Sequence, residues 1–113
     1  MTEADRELLE LAADAAKLHW EWNGVNQRIE VLRSSGHYRH WSPLDDDGDA
    51  FRLMVNLNIS VSRPVLGDSE VHWGAYADSH DQCISLKVCD DGDPLAATRR
   101  AITRAAAAIQ EGK

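Results

Sequence analysis

Long apolar runs and a positive charge balance are both missing from this sequence of 113 residues. No apolar run approaches the length of a membrane span, and the first residues are acidic where a secretory leader would be basic. Lysine and arginine total 12 against 19 aspartate and glutamate residues, which gives a net charge of −7. Because nucleic acid and anionic membranes bind clustered cations, we expect neither of them as a direct partner.

Cysteine is also scarce. Cys83 and Cys89 lie in a segment that alternates like a single strand. An extended backbone would separate them by roughly 20 Å, which is far beyond the reach of a disulfide. They also lack the close spacing of a metal-binding pair. We therefore expect free thiols in a reducing cytosol, and no cofactor.

The overall composition is that of an ordinary globular protein, with 43% hydrophobic and 27% charged residues. The length suits one modest core and is too short for two. The sequence therefore predicts a single domain over residues 1–113.

Three segments carry apolar residues at helical spacing, and they predict helices over 2–18, 46–56 and 94–110. Thr2 can cap the first helix, and Asp93-Pro94 opens the third in a favoured way. The predicted buried stripes are Leu8, Leu11, Ala12, Ala15 and Leu18 in the first helix, Ala50, Leu53, Met54 and Leu57 in the second, and Leu95, Ile102, Ala106 and Ile109 in the third.

Three other segments, 57–63, 70–77 and 83–89, alternate apolar and polar residues as strands do. Their short connections predict an antiparallel meander. Residues 19–42 are interpreted as short strands and loop, with a turn at Asn23-Gly24. The predicted fold class is α+β, a small antiparallel sheet of three or more strands covered by helices, similar to an α/β/α sandwich. The sheet residues expected in the core are Leu57, Ile59, Val61, Trp73, Ile84, Leu86 and Val88.

An acidic segment precedes the second predicted helix. Its carboxylates are Asp45, Asp46, Asp47 and Asp49. A calcium loop of the EF-hand type with Gly48 at its sixth position would place Pro43 and Met54 where carboxylates are needed, so that interpretation fails. Carboxylates near a helix start are favourable, and the pattern from Ser42 favours that residue as the cap. Four carboxylates exceed what capping needs, which leaves an interaction surface or a divalent-ion site as alternatives.

The histidines and tryptophans give weaker signals. His37 and His40 lack further ligands at zinc-site spacing. Ser79-His80-Asp81 contains the residue types of a catalytic triad, but a triad assembles from separate segments, so we interpret it as a turn. The tryptophans are expected mainly in the core, with one or two of them in a partner-binding patch as the alternative. They are Trp20, Trp22, Trp41 and Trp73.

The segment from Trp41 to Leu53 resembles a motif in uncharacterised phage and prophage proteins, of the family described as the phage ABA sandwich domain. The Ala-rich run from Ala101 to Ala106 is similar to that family's closing helix. In the family the tryptophan is typically followed by asparagine, where this chain has Ser42. The resemblance implies a phage or prophage origin and a helix-covered sheet, and it carries no catalytic residues.

The sequence thus favours a small phage- or prophage-encoded accessory protein in the host bacterial cytoplasm, which binds a host or phage protein without catalysis. A metal-dependent hydrolase that uses the acidic loop and a structural or assembly component of the virion are the alternatives. The partner and the oligomeric state stay open. The candidate interaction residues in the motif are Trp41, Pro43, Asp46, Asp47, Gly48, Asp49 and Arg52.

Overall fold

The computed structural model describes residues 2–62, 72–79, 82–89 and 94–112, with backbone alone at 62, 72–79, 82–89 and 94. Three helices and six strands occur in these ranges, and they form an α+β fold as predicted. In chain order the elements are α1 (Glu3–Ala15), β1 (Trp20–Asn23), β2 (Arg28–Leu32), β3 (Tyr38–His40), α2 (Asp47–Asn56), β4 (Ile59–Ser62), β5 (His72–Ser79), β6 (Gln82–Cys89) and α3 (Pro94–Glu111).

The strands form two antiparallel sheets, each in the order of the sequence. In the sheet β4-β5-β6, Ala75 pairs with Val61 on one side and with Leu86 on the other. This is the meander that the period-2 alternation predicted. In the sheet β1-β2-β3, Trp22 pairs with Ile29, so residues 19–42 hold a second small meander.

The C-terminus of α1 comes earlier than predicted. The backbone N–H of Lys17 donates to the carbonyl of Asp14, and that of Leu18 to the carbonyl of Ala13, both at 3.0 Å. These two bonds form a Schellman cap, with Lys17 in the left-handed conformation at φ 57°. Glycine usually occupies such a position, so a lysine there gave no sequence signal, and the predicted end at residue 18 is wrong.

The buried face of α1 matches the predicted stripe in part, since Ala12 and Ala15 are buried as predicted, and it is rotated away from the predicted leucines. Leu9, Ala12 and Ala13 are fully buried, whereas Leu8 and Leu11 are half-buried. The helix packs against α3 and also contacts β2. Small side chains let two helices approach closely, and α3 has several fully buried alanines of its own. These are Ala101, Ala105 and Ala106.

The other predicted core positions divide into four groups. Ile59, Ile102 and Ile109 are buried as predicted. Leu95 is 62% exposed, contrary to prediction. It shares the helical phase of Ile102 but lies in the first turn of α3, and phase alone does not tell how far along a helix the core extends. Three further predicted positions are buried: Ala50, Leu53 and Ala106. Three are half-buried: Leu57, Val61 and Met54. The remaining side chains lie outside the described part, and they are those of Trp73, Ile84, Leu86 and Val88.

Helix α3 packs on β4, β5 and β6, and α2 contacts both α3 and β4. In chain order, α2 lies between the strands of the two small sheets. In space, it contacts α3. No helix within the described residues is long and apolar enough to cross a membrane.

Candidate functional site

The acidic segment is anchored by the residues directly before it. Trp41 is 5% exposed, and Ser42 and Pro43 are buried almost completely. The backbone N–H of Trp41 donates to the carbonyl of Ile29 at 2.9 Å, which extends the pairing with β2. The segment therefore starts inside the core, and Trp41 is a core residue.

The cap of α2 is Asp46. Its carboxylate accepts from the backbone N–H of Asp49 at 2.8 Å, and its extended backbone is typical of a cap. Ser42 instead donates its hydroxyl to Asp45 at 2.8 Å, and its carbonyl accepts from the N–H groups of Asp45 and Asp46. The prediction that Ser42 caps the helix is wrong because an extra turn separates it from α2.

Asp49 is a buried carboxylate, with its side chain 4% exposed. One of its oxygens, Oδ2, accepts from the backbone N–H of Ser42 at 3.0 Å. The other, Oδ1, accepts from Arg52 at 2.8 Å and also from Arg39. Three donors thus hold this carboxylate, and they tie β3, the entry loop and α2 together. No pattern in the sequence indicates this role for Arg39, because a charged residue in a strand is usually exposed.

Asp47 links the same segment to the last helix. Its carboxylate accepts from Nη1 of Arg99 at 2.6 Å, and Nε of Arg99 donates to the carbonyl of Leu44 at 2.9 Å. One arginine of α3 therefore holds both the backbone of the loop and a side chain in the first turn of α2.

Gly48 makes room for an arginine. A Cβ atom at Gly48 would lie 3.1 Å from Nη2 of Arg52 and 3.2 Å from Oδ2 of Asp46. Without that atom, the guanidinium of Arg52 can lie against the backbone between Asp49 and Asp46, the latter at 3.9 Å. Glycine is needed at position 48 because a side chain there would take the space of the Arg52 guanidinium.

These contacts account for the four carboxylates that seemed too many for capping. Each has a donor within the chain: a hydroxyl for Asp45, a helix N–H for Asp46 and arginines for Asp47 and Asp49. In the described ranges, no group of three or more histidine, cysteine, aspartate or glutamate residues is arranged to hold a metal ion. A cation that bound Asp47 or Asp49 would have to displace a guanidinium group.

The motif residues thus separate into buried and exposed members. Trp41, Pro43 and Asp49 are buried and inaccessible to a partner. The side chains of Asp46, Asp47 and Arg52 are 58%, 71% and 56% exposed.

Two apolar residues outside the predicted buried stripe of α2 are exposed beside them. Phe51 and Val55 are 61% and 59% exposed, one turn apart on α2. Asp47 precedes Phe51 by one further turn, so the three residues form one row, which we call the α2 outer face. The available signal was that Phe51 and Val55 are apolar but fall outside the buried stripe of α2.

The described histidine side chains are exposed and make no catalytic arrangement among the described residues. The ring of His19 lies 6.2 Å from that of Tyr38, whose hydroxyl donates to Glu21 at 3.2 Å. Partial burial of the ring and this hydrogen bond raise the pKa of Tyr38 above its usual range. His37 directly precedes β3 and His40 is its last residue, and the side chains of His72 and His80 lie outside the described part.

The two tryptophans of β1 are half-buried against the core and also make polar contacts. Nε1 of Trp20 donates to Asp14 at 2.8 Å, and the guanidinium of Arg6 lies 3.9 Å from the ring centre of Trp22. Both contacts hold β1 against α1, which supports the packing interpretation of these residues.

Comparisons with the models of known protein families, with curated proteins and with solved structures give no match. The resemblance of residues 41–53 to the phage ABA sandwich domain therefore stays a prediction that depends on that segment.

Proposed function

We propose that this chain is a non-catalytic protein-binding module, a phage- or prophage-encoded accessory protein that acts in the host cytoplasm. Its contact with a host or phage protein is made through the α2 outer face. The observation that carries the proposal is the exposure of Phe51 and Val55 on one row of a helix whose start is acidic.

Exposed apolar residues become informative when they are adjacent and have a distinct border. Burying a phenylalanine or valine side chain fully contributes roughly 1.5–3 kcal/mol. Phe51 and Val55 are each more than half exposed, so much of that free energy is available to a partner. The border is acidic, since Asp45, Asp46 and Asp47 are exposed at the start of the same helix.

Charge complementarity indicates the chemistry of the partner. A chain of net charge −7 with an acidic helix start attracts a basic segment and repels an acidic one. We therefore infer a partner segment that presents apolar side chains flanked by lysine or arginine.

The α2 outer face is also held in place before any partner arrives. Asp49 fixes the first turn of α2 to β3, and Asp47 fixes it to α3 through Arg99. A rigid surface loses little conformational entropy on association, which favours binding. The same ion pairs occupy carboxylates that a hydrolase would need for a metal, and this supports the non-catalytic part of the proposal.

The test is capture of partners from the bacterial host with the tagged protein, comparing Phe51→Ser with Val25→Ser. Val25 is 93% exposed in the turn after β1, so its replacement removes an accessible apolar side chain outside the α2 outer face. We expect the first variant to lose a protein that the wild type and the second variant retain, with all melting temperatures alike. A partner retained equally by both variants would disprove the role of this face.

A further inference from the structure

We propose that a cavity between the end of α1, the β2–β3 hairpin and α2 binds a small organic oxyanion, a carboxylate or phosphate attached to a short apolar group. The cavity has a volume of about 250 Å³. It is separate from the α2 outer face, because neither Phe51 nor Val55 lines it. The proposal is therefore independent of the proposed function.

The polar side of the cavity is cationic. Arg33, Arg39 and Arg52 line it, and none of the described lining residues is acidic. This concentration of arginine is unexpected in a chain whose net charge is −7. Guanidinium groups offer planar pairs of N–H donors that match carboxylate and phosphate oxygens.

The carboxylates behind the arginines do not neutralise them. Arg39 and Arg52 donate to the same oxygen of Asp49, and Arg52 also lies 3.9 Å from Asp46. Counting both carboxylates against the three arginines of the cavity still leaves one positive charge. A guanidinium has five N–H donors, so the shared bonds to Asp49 leave donors of both arginines for a ligand.

Arg33 provides the accessible cation. Its side chain is exposed and forms no ion pair with any residue that the structure describes. Its backbone is fixed by the hairpin turn, since its N–H donates to the carbonyl of His37 at 2.8 Å and its carbonyl accepts from Gly36 at 2.9 Å. A fixed attachment point suits capture of an anion at the mouth of the cavity when its guanidinium, as here, has no ion-pair partner among the described residues.

Apart from the neutral polar residues Ser34 and Asn56, the remaining wall is apolar, and it sets the size of the ligand. Leu18, Trp41 and Leu53 line it, and the last two are almost completely buried. A protein cavity of about 150 Å³ is known to hold benzene. A volume of about 250 Å³ therefore has room for a phenyl-sized group together with an oxyanion.

The experiment titrates four probes while NMR follows the indole N–H signal of Trp41: benzoate, phenyl phosphate, benzyl alcohol and inorganic phosphate. We expect one of the two aromatic anions to shift that signal saturably. The tighter of the two identifies the oxyanion. Arg33→Gln should weaken its binding on the order of tenfold, given what a hydrogen bond to a charged group contributes.

Arg104→Gln is the matched control, because Arg104 is an exposed arginine of α3 that does not line the cavity. It should leave the affinity unchanged. Equal losses in the two variants would reveal mere attraction to surface charge and overturn the proposal. The proposal would also be overturned if neither aromatic anion shifted the Trp41 signal, or if benzyl alcohol or inorganic phosphate bound as tightly as the aromatic anions.

Discussion

Arg39 and Asp49 form an ion pair that joins β3 to the first turn of α2. The aspartate side chain is 4% exposed and the arginine side chain 32% exposed, so the carboxylate is the buried partner. Ser42 and Arg52 complete its set of donors. The orientation of α2 against the first sheet therefore depends on one carboxylate.

Replacing that carboxylate should destabilise the fold. Asp49→Asn removes the charge that the two arginines share, and we expect the free energy of unfolding to fall by roughly 1.5–3 kcal/mol. Urea denaturation measures the change. Asp45→Asn is the control, because Asp45 is exposed and, among the described residues, its carboxylate bonds only to the hydroxyl of Ser42. It should change stability by no more than about 0.5 kcal/mol. Equal effects would contradict the structural role of Asp49.

The identity of the α2 cap can be tested in the same way. Asp46→Ala should lower the melting temperature and cost about 1 kcal/mol, because a helix N–H loses its acceptor. Asp46→Asn should retain most of the stability, since asparagine caps as well as aspartate. A larger loss from Ser42→Ala than from Asp46→Ala would return the cap to Ser42.

The phase of α1 makes a third prediction. Leu9 is fully buried and Leu11 only half-buried. Leu9→Ala should therefore destabilise by roughly 2–5 kcal/mol, the range for a buried leucine, and Leu11→Ala by clearly less. Thermal unfolding of the two variants decides between this phase and the one predicted from the sequence. The sequence also places Leu86 in the core, which predicts a loss in the same range for Leu86→Ala. Its side chain lies outside the described part, so this stays a prediction.

The ion pair of Arg28 and Glu30 predicts how stability depends on pH. The hydrogen bond from Arg28 lowers the pKa of Glu30 below the ordinary value of 4.5. Because the pKa of Glu30 is lower in the folded than in the unfolded state, the ion pair stabilises the fold at pH values above the unfolded-state pKa. This stabilisation is lost as the pH falls through the folded-state pKa. An NMR titration should show the pKa of Glu30 rising in Arg28→Gln. An unchanged pKa would mean that the pair does not persist in solution.

Calcium, magnesium and zinc at micromolar concentrations should leave the melting temperature unchanged. The reason is that Asp47 and Asp49 are paired with arginines, so a cation would compete with positive charges already in place. Thermal unfolding with and without each ion measures this. A clear shift, abolished when Asp45 and Asp47 are replaced by asparagine, would favour the metal-dependent hydrolase over the binding module.

Local patterns predicted the elements well and their partners poorly. Alternation over 57–63 and the turn at Asn23-Gly24 are local signals. The first segment contains β4, and strands lie on both sides of the second. Lys17 adopts the left-handed conformation that glycine usually adopts, so no glycine in the sequence indicates the end of α1. The burial of Asp49 depends on Arg39, and only the folded chain shows that these two residues meet. A single sequence tells that a carboxylate is present, but its use depends on which cations the fold brings to it.

The ion pairs of α3 have a consequence for how the chain folds. Arg100 pairs with Asp5 across 95 positions, and Arg99 with Asp47 across 52. Contacts between such distant positions must overcome a large loop-closure entropy and form late. During synthesis, α1 emerges from the ribosome long before α3. The alanine-rich face of α1 must then stay exposed to water, or bound to a chaperone, until α3 has been synthesised and packs against it.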